Sequence, residues 1–297
     1  GGRLVKTDEE SLIVAQLWGS DPEAMAALSA HCAELGYDGI DINMGCPDQS
    51  AIKGGGGADM IRHPDRAAAI IAAAKTSGLP VSVKTRLGYS FVDEWKEWLE
   101  FILSQDVAAL TIHLRTKKEM SKVPAHVELI PEIKKLRDDI APDTLLIING
   151  DIRDRAHGEE LYENYGVDGI MIGRGIFANP YCFATDATMR VTASGAAPAS
   201  EEIVHDFSEE GANSLAGPAS NDLPATKGSN DVSGNFSLLN FHLNEYDKYA
   251  ALTGRTFETL KRFFKIYIRD FDGASDLRDR LMRTKNTDEV REILSKQ

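Results

Sequence analysis

Short apolar runs alternate with longer segments of helical periodicity between residues 11 and 175. The starts of the apolar runs fall about 25 to 40 residues apart, which is the length of one βα unit. Several intervening segments begin at Asp, Ser or Pro and end at Gly, as capped helices do. The apolar runs are SLIVAQLWG, GIDINMG, PVSVKTRLG, AALTIHLR, TLLIINGD and GIMIGRG. This pattern predicts a parallel α/β fold with six strands.

The ends of these strands favour a barrel over an open sheet, although periodicity alone fits both. With period two, Val83 lies on one strand face, whereas Lys84 and Arg86 share the other. In a barrel such polar strand ends converge on one mouth, where active sites of that fold lie. The polar strand ends are Gln16, Asn43, Lys84, Arg86, His113, Arg115 and Asn149. We therefore predict a TIM-type (βα) barrel.

Composition divides the chain into three parts. Residues 1–190 carry the βα pattern of the predicted barrel. Residues 191–237 are rich in Ser, Ala, Gly, Asn and Asp, which predicts a polar linker or insertion because such a segment cannot build a packed core. Residues 238–297 return to helical spacing with polar starts and predict a small helical bundle.

The formal net charge of −13 argues against broad affinity for nucleic acids, since phosphate binding relies on Lys and Arg. The charge is unevenly spread, however. Residues 191–235 carry seven acidic residues and one Lys, whereas residues 241–297 carry twelve basic and ten acidic residues. Within the latter, LKRFFKIYIR predicts an amphipathic helix with a solvated basic face. Its basic residues are Lys261, Arg262, Lys265 and Arg269.

The three cysteines are too few and too irregularly spaced for a disulfide framework or a zinc cluster. We expect a reducing compartment and no metal site. No run approaches the roughly 20 apolar residues of a membrane span, and the first ten residues lack the apolar stretch of a secretion signal. These features predict a cytoplasmic protein.

Cys46 is the cysteine that invites a chemical role. Cys32 and Cys182 fit small core residues, whereas the flanking Gly45 and Pro47 take Cys46 off its strand onto a loop. Four glycines follow at positions 54–57. They fit either a phosphate cradle or a tight turn, and they match no nucleotide-binding fingerprint.

The polar strand ends form too polar a set for one interior layer unless a polar ligand fills it, which predicts a bound cofactor. The last two strands end in IINGDI and IGRGIFANP. In barrels the loops after strands seven and eight commonly bind phosphate, and Arg174 would add a bidentate donor there.

Six motifs in order resemble the dihydrouridine synthase family over about 165 residues: QLWGSDPE, DINMGCP, VKTRLG, TIHLRT, NGDI and GRGIFANP. The resemblance implies an FMN-binding barrel followed by a helical tRNA-binding domain at 238–297, in which LKRFFKIYIR would be the tRNA-facing helix. It implies that NADPH reduces the flavin and that the flavin reduces uridine in tRNA to dihydrouridine. The expected partner is tRNA, and the expected oligomeric state is a monomer.

The resemblance also implies roles for individual residues. Cys46 would be the general acid that protonates the uracil carbon next to the one receiving hydride, and Lys84 would stabilise negative charge on the reduced flavin. The implied cofactor-binding residues are Gln16, Lys84, His113, Asn149, Gly150, Asp151, Gly173 and Arg174. The implied substrate-binding residues are Asn43, Arg86 and Arg115.

One departure from the family pattern concerns the strand count, because the family barrel has eight strands and the first strand here matches the third. The chain is therefore expected to lack the first two βα units. Two rival functions are an FMN barrel that acts on free pyrimidines or dihydroorotate, and a non-catalytic RNA-binding relative. The C-terminal bundle disfavours the first, and the presence of both Cys46 and Lys84 disfavours the second.

Overall fold

The structure is a computed structural model of the 297-residue chain, and it describes residues 4–7, 12–178, 182–183 and 232–297. Its contacts divide the chain into two compact units, Gly1–Phe183 and Ala184–Gln297. Each unit has its own apolar core. Within the described ranges, no helix combines the length and the apolar character needed to cross a membrane.

A parallel sheet forms the centre of the first unit. Its six strands in the described residues are hydrogen-bonded to one another in chain order. They are β1 Val14–Leu17, β2 Gly39–Asn43, β3 Val81–Arg86, β4 Ala109–His113, β5 Leu145–Asn149 and β6 Gly169–Met171. The predicted six-stranded α/β fold is confirmed. The order runs without the reversal of a doubly wound sheet, but no ladder joins β1 to β6 in the described part, so barrel closure stays a prediction.

The parallel register sorts alternate residues of these strands onto two faces. Ile42, Val83 and Leu110 form one row across the sheet, and Asn43 and Lys84 form part of the next row. Rows like the first form one face of the sheet, which we call the apolar face. It comprises Leu17, Ile40, Ile42, Val81, Val83, Leu110, Ile112, Leu146 and Ile148. Rows like the second form the opposite face, whose polar residues we call the polar face. They are Gln16, Asp41, Asn43, Ser82, Lys84, Arg86, Thr111, His113 and Asn149.

Most helices between the strands pack against the apolar face and form one continuous core with it, whereas the buried Leu161 of the helix before β6 belongs to a separate small cluster. The helix Pro22–Glu34 (α1) begins where the Asp21 side chain accepts the Glu23 N–H, and the helix Arg155–Tyr165 (α6) ends where Gly166 adopts a left-handed conformation, so both have the predicted type of cap. The helices are α1 Pro22–Glu34, α2 Gln49–Lys53, α3 Pro64–Lys75, α4 Trp95–Leu103, α5 Ile130–Ile140, α6 Arg155–Tyr165 and α7 Gly175–Ala178.

The described part of the second unit is helical, as predicted. Its helices are α8 Val232–Thr253, α9 Phe257–Lys261, α10 Phe264–Tyr267, α11 Ala274–Met282 and α12 Thr287–Leu294. Leu243, Phe264, Leu281 and Val290 are among the buried residues of their shared core. The helix α8 begins within the predicted linker 191–237, so that boundary is wrong at its C-terminal end, and residues 191–231 lie outside the described residues.

The prediction of one basic helix over LKRFFKIYIR is also wrong. The segment breaks at residues 262 and 263, between α9 and α10, although Leu260, Phe264, Tyr267 and Ile268 are all buried and have the spacing of one helical face. Lys261 is only 8% exposed, and its ammonium pairs with Glu258 at 2.6 Å. Lys261 therefore cannot belong to an exposed basic face.

Candidate active site

The polar face brings most of the predicted site residues together. Its members recur on neighbouring strands near their carboxyl ends, where ligand sites of parallel α/β sheets lie. The cross-strand partners are Gln16 with Asp41, Asn43 with Lys84, and Arg86 with His113, which in turn pairs with Asn149. These side chains share one surface because the strands are parallel and their side chains alternate with period two.

Cys46 lies half-buried in the turn that follows β2. The Asn43 side-chain oxygen accepts the N–H groups of Gly45 at 3.1 Å and Cys46 at 2.9 Å. The Asn43 amide nitrogen donates one of its two N–H groups to Gln16 Oε1 at 3.1 Å. Asn43 therefore holds the Cys46 turn in place, and its second amide N–H has no acceptor among the residues that the structure describes, which leaves it for a ligand.

The glycine run brings the following segment against Cys46. Gly57 has φ +59°, and a Cβ there would stand 2.8 Å from the Cys46 carbonyl oxygen, so this position requires glycine. The next N–H, that of Ala58, donates to the same carbonyl at 3.0 Å. The N–H groups of the glycines at 54, 55 and 56 all donate to carbonyls of α2. The run is therefore a tight turn, and those three N–H groups are not free to cradle phosphate.

Arg86 is buried and connects the turn after β2 to the loop after β4. Its Nε donates to the Gly45 carbonyl at 2.7 Å, and its Nη1 donates to the carbonyls of Thr116 at 3.2 Å and Met120 at 3.1 Å. Burial and the nearby Arg115 lower its pKa to about 10, so it stays charged at neutral pH. The predicted substrate residue Arg86 thus makes most of its bonds to the protein backbone.

Lys84 is the polar-face cation that the protein leaves available. Its ammonium forms no hydrogen bond or ion pair with the residues that the structure describes, although Asp41 and Cys46 are close enough to influence it electrostatically. Burial lowers the Lys84 pKa first, and the positive charge of Arg86 lowers it further. An anionic ligand at this position would gain a charge-assisted hydrogen bond that no protein group supplies.

Asp41 belongs to the polar face, and sequence reasoning missed it. Burial raises its pKa, whereas hydrogen bonds from Gln16 at 2.7 Å and Ser82 at 2.8 Å, with the charge of Lys84, act against that rise. The signal was present in GIDIN, because Asp41 precedes Asn43 by two residues and period two places them on the same face.

His113 and Arg115 are adjacent at the carboxyl end of β4. Burial lowers the His113 pKa to about 3, with the positive charges of Arg86, Lys84 and Arg115 contributing, so the imidazole is neutral at pH 7. Arg115 is 2% exposed and donates to the Val123 carbonyl at 2.6 Å, while its Nη1 lies 3.1 Å from His113 Nε2. Since a guanidinium only donates, Nε2 must be the acceptor nitrogen of the ring.

Asp151, which follows β5, connects Arg115 to the predicted phosphate-binding loops. Its carboxylate accepts hydrogen bonds from Arg115 and from the Ala125 N–H at 3.0 Å, and its second oxygen lies 3.3 Å from Arg174. Burial opposes ionisation of Asp151, but these donors outweigh burial and lower its pKa. Asp151 is therefore an anion that positions Arg174, whose side chain is 68% exposed.

The remaining predicted residues lie beside this group. Asn149 is buried, and its amide donates to the Met171 carbonyl at 2.8 Å, which ties β5 to β6. Gly150 separates Asn149 from Asp151, and Gly173 is exposed next to Arg174. The polar face, the Cys46 turn and the group of Asp151 with Arg174 thus lie at one edge of one sheet. Sequence reasoning missed Glu94 and Glu119, which order the loops after β3 and β4. They accept backbone N–H groups, and no motif marks such partners.

Comparison with known proteins identifies the family. The family model described as dihydrouridine synthase (Dus) matches residues 2–222. The chain is 50% identical over 293 residues to a probable tRNA-dihydrouridine synthase 2 of Bacillus subtilis, covering 99% of this chain and 78% of that protein. It is 47% identical to a probable tRNA-dihydrouridine synthase of Staphylococcus epidermidis with the same coverage, and 46% identical to one of Staphylococcus aureus. The chain therefore belongs to the dihydrouridine synthase family.

Proposed function

We propose that this chain is a tRNA-dihydrouridine synthase that reduces the carbon–carbon double bond of uridine in tRNA. The observation that carries the proposal is the Cys46 turn, which Asn43 and Arg86 hold beside the polar face. A positioned thiol next to the charged residue Lys84 suits a reduction that must be completed by proton transfer. The names of the relatives favour tRNA as the substrate over free pyrimidines.

The residues present fit FMN as the cofactor. Lys84 offers an ammonium without a protein hydrogen-bond partner in the described part, and Asn43 retains one amide N–H. Arg174 is exposed and oriented by Asp151, so its guanidinium can donate hydrogen bonds to the FMN phosphate. The Asp151 carboxylate would repel the phosphate if the two were in direct contact. Gln16, His113, Asn149, Gly150 and Gly173 complete the proposed cofactor surface. When bound and reduced by NADPH, FMN supplies hydride to one carbon of the double bond.

The protein completes the reaction by proton transfer. The Cys46 thiol gives its proton to the carbon adjacent to the one that receives hydride, and the C=C π electrons form the new C–H bond there. The resulting thiolate regains a proton from solvent. Lys84 provides positive charge beside the flavin, and the neutral His113 adds no further cation to the site at pH 7.

Arg86 and Arg115 act through other residues in this account. Arg86 holds the Gly45 carbonyl next to Cys46, and Arg115 holds the Asp151 carboxylate. Both are buried, and their guanidinium groups are largely bonded to the protein. We therefore propose that they position the Cys46 turn and Arg174, with substrate contact limited to the remaining donor of Arg86.

The consecutive strand order and the single polar face support the further proposal that the sheet forms part of a TIM-type barrel wall. The helices of the second unit are proposed to assist tRNA binding. Their basic residues other than Lys261 stay candidates, because Lys261 is buried.

The test is to supply the purified chain with FMN, NADPH and unmodified tRNA transcript, and to detect the gain of two hydrogens in uridine by mass spectrometry. We expect flavin binding and dihydrouridine in the tRNA, with little product from free uridine. Equal rates with free uridine would favour the pyrimidine-reducing rival. Flavin binding without any product would contradict the proposal.

A further inference from the structure

A group of cations and aromatic rings lies on the loops that follow the carboxyl ends of β2, β3 and β4. We call it the rim patch, and it comprises Arg62, Tyr89, Phe91, Lys117 and Lys118. Phe91 is 63% exposed and belongs to none of the hydrophobic cores found among the described residues. The site described above uses none of these five residues.

Hydrogen bonds fix the backbone of the loop that carries Tyr89 and Phe91, which we call the aromatic loop of the rim patch. The Glu94 carboxylate accepts the backbone N–H groups of Tyr89 at 2.6 Å, Ser90 at 3.2 Å and Phe91 at 3.0 Å. A Cβ at Gly88 would stand 2.5 Å from the Phe91 carbonyl oxygen, so the turn also requires glycine. These contacts fix the backbone that carries the two rings, which lowers the entropy lost when a ligand binds.

The loop after β4 is joined directly to this aromatic loop. The N–H of Lys117 donates to the Gly88 carbonyl at 2.8 Å, and the N–H of Lys118 donates to the Tyr89 carbonyl at 2.9 Å. Arg86 then bonds the carbonyl of Thr116, the residue before Lys117. The patch is therefore connected to the Cys46 turn through Arg86.

The cations of the patch lie over the rings. The Arg62 guanidinium carbon lies 4.0 Å from the centre of the Tyr89 ring, and Lys117 Nζ lies 4.7 Å from the same centre. Lys118 Nζ lies 5.4 Å from the centre of the Phe91 ring. Arg62 also pairs with Asp59, whereas neither lysine has a carboxylate within ion-pair distance in the part of the chain described here. Two uncompensated ammonium groups thus accompany an exposed ring.

We propose that the rim patch is a tRNA-binding surface, in which Lys117 and Lys118 neutralise backbone phosphates and Phe91 stacks on an unpaired base near the target uridine. The inference rests on the proposed function. Local positive charge beside an exposed aromatic ring is the combination that binds single-stranded nucleic acid, and here it occurs in a chain of net charge −13. An extruded uridine requires contacts of this type to its neighbouring nucleotides.

The test compares the double variant Lys117→Gln/Lys118→Gln with the charge-matched control Lys134→Gln/Lys135→Gln, whose lysines pair with Asp138 and Asp139 on α5. We expect the rim variant to raise the KM and Kd for tRNA by about tenfold or more, with kcat within threefold of wild type. The slope of log Kd against log salt should fall by about 1.4, or 0.7 for each lost phosphate contact. The control should keep the wild-type Kd and slope.

Phe91→Ala tests the stacking contact independently of charge. We expect a loss of tRNA affinity of roughly 5- to 100-fold with an unchanged salt slope. The rate of flavin reduction by NADPH should stay at the wild-type value in all three variants, since the patch is assigned to tRNA.

Three outcomes would overturn the inference. One is a rim variant with wild-type tRNA affinity and salt slope in an otherwise active enzyme, which would leave the proposed function intact. Another is slower flavin reduction by NADPH with unchanged tRNA affinity, which would assign the patch to the dinucleotide phosphate. A wild-type chain that neither binds tRNA nor forms dihydrouridine would overturn the proposed function and this surface together.

Discussion

The two faces of the central sheet are built from alternate residues of the same strands, yet they have different tasks. The apolar face consists of Ile, Leu and Val side chains that the helices cover, and Ile42, Val83 and Ile112 are almost completely buried. The polar face carries carboxylate, amide, ammonium and imidazole groups, and Lys84 has no protein hydrogen-bond partner in the described part. Stability and chemistry are therefore separated by one residue position along each strand.

This separation predicts that substitutions on the two faces have distinct consequences. A change on the apolar face removes packing and lowers the free energy of unfolding. A change on the polar face removes a ligand contact, and it also removes the cost of keeping an unpaired polar group partly buried. Stability and ligand affinity should therefore respond independently.

The largest effect on stability is expected from Ile112→Ala. Ile112 is fully buried in β4, so its truncation should lower the free energy of unfolding by about 2 to 5 kcal/mol. Chemical denaturation followed by circular dichroism measures this change. Leu145→Ala is the control, because Leu145 is 53% exposed at the start of β5 and should change stability by less than about 1 kcal/mol. Equal losses in both variants would remove the distinction between the faces.

Lys84→Gln is expected to have the next largest effect, and on affinity rather than on folding. Loss of the ammonium should raise the Kd for FMN about 10- to 100-fold, since a charge-assisted hydrogen bond contributes about 1.5 to 3 kcal/mol. The free energy of unfolding without FMN should stay constant or rise, because burial already disfavours this charge. Flavin fluorescence titration measures the Kd.

The control for Lys84 is Lys135→Gln, which removes a 75% exposed ammonium from α5. It should leave the Kd for FMN unchanged. If Lys84→Gln bound FMN as tightly as wild type, the assignment of the polar face to the cofactor would be wrong.

The smallest effect is expected from His126, whose pKa shifts in the opposite direction to that of His113. His126 is partly buried, but its hydrogen bonds to Glu119 and Glu128 outweigh burial and raise its pKa, whereas burial and nearby cations lower the pKa of His113 to about 3. His126 therefore stabilises the fold below pH 6.5, and this contribution is lost as the pH rises through its folded pKa. The unfolded chain protonates His113 below pH 6.5, so this group makes the fold less stable as the pH falls.

His126→Gln should accordingly reduce the free energy of unfolding by no more than about 1 kcal/mol at pH 6, and by less as the pH rises above 7. NMR titration of the imidazole signals measures both pKa values. His113 that titrated near 6.5 would show that the polar face is more hydrated than its burial implies.

Much of the fold was predictable because period two and the helix caps are local signals. The strand β3 was recognisable from Val81 and Val83 alternating with polar residues, and α1 from Asp21 and Pro22 at its start. The position of Asn43 at the end of its strand, shortly before Cys46, was predictable as well. That the Asn43 oxygen bonds the Cys46 N–H was not, because the bond depends on the geometry of the turn.

The residues that could not be predicted depend on contacts far apart in sequence. Arg86 and Arg115 have the residue type of substrate contacts, but their guanidinium groups bond carbonyls and a carboxylate that only the folded loops bring near. The exposure of the basic residues could not be predicted from the sequence either. Lys261 stood out in a basic run and is buried, whereas Lys117 and Lys118 stood in no motif and lie over the half-buried Tyr89 ring and the exposed Phe91 ring.

The most direct test of the central claim is a single turnover with Cys46→Ala. Cys46 is proposed to donate the proton, and its substitution is expected to leave flavin binding unchanged. The enzyme is reduced with NADPH without oxygen and mixed with unmodified tRNA, and flavin reoxidation and dihydrouridine are followed together. Cys182→Ala, which removes a buried thiol, is the control. We predict that Cys46→Ala keeps the wild-type rate of reduction by NADPH and loses about 10²- to 10⁴-fold in reoxidation by tRNA. Reoxidation of Cys46→Ala at the wild-type rate, with one dihydrouridine formed per flavin, would contradict the account.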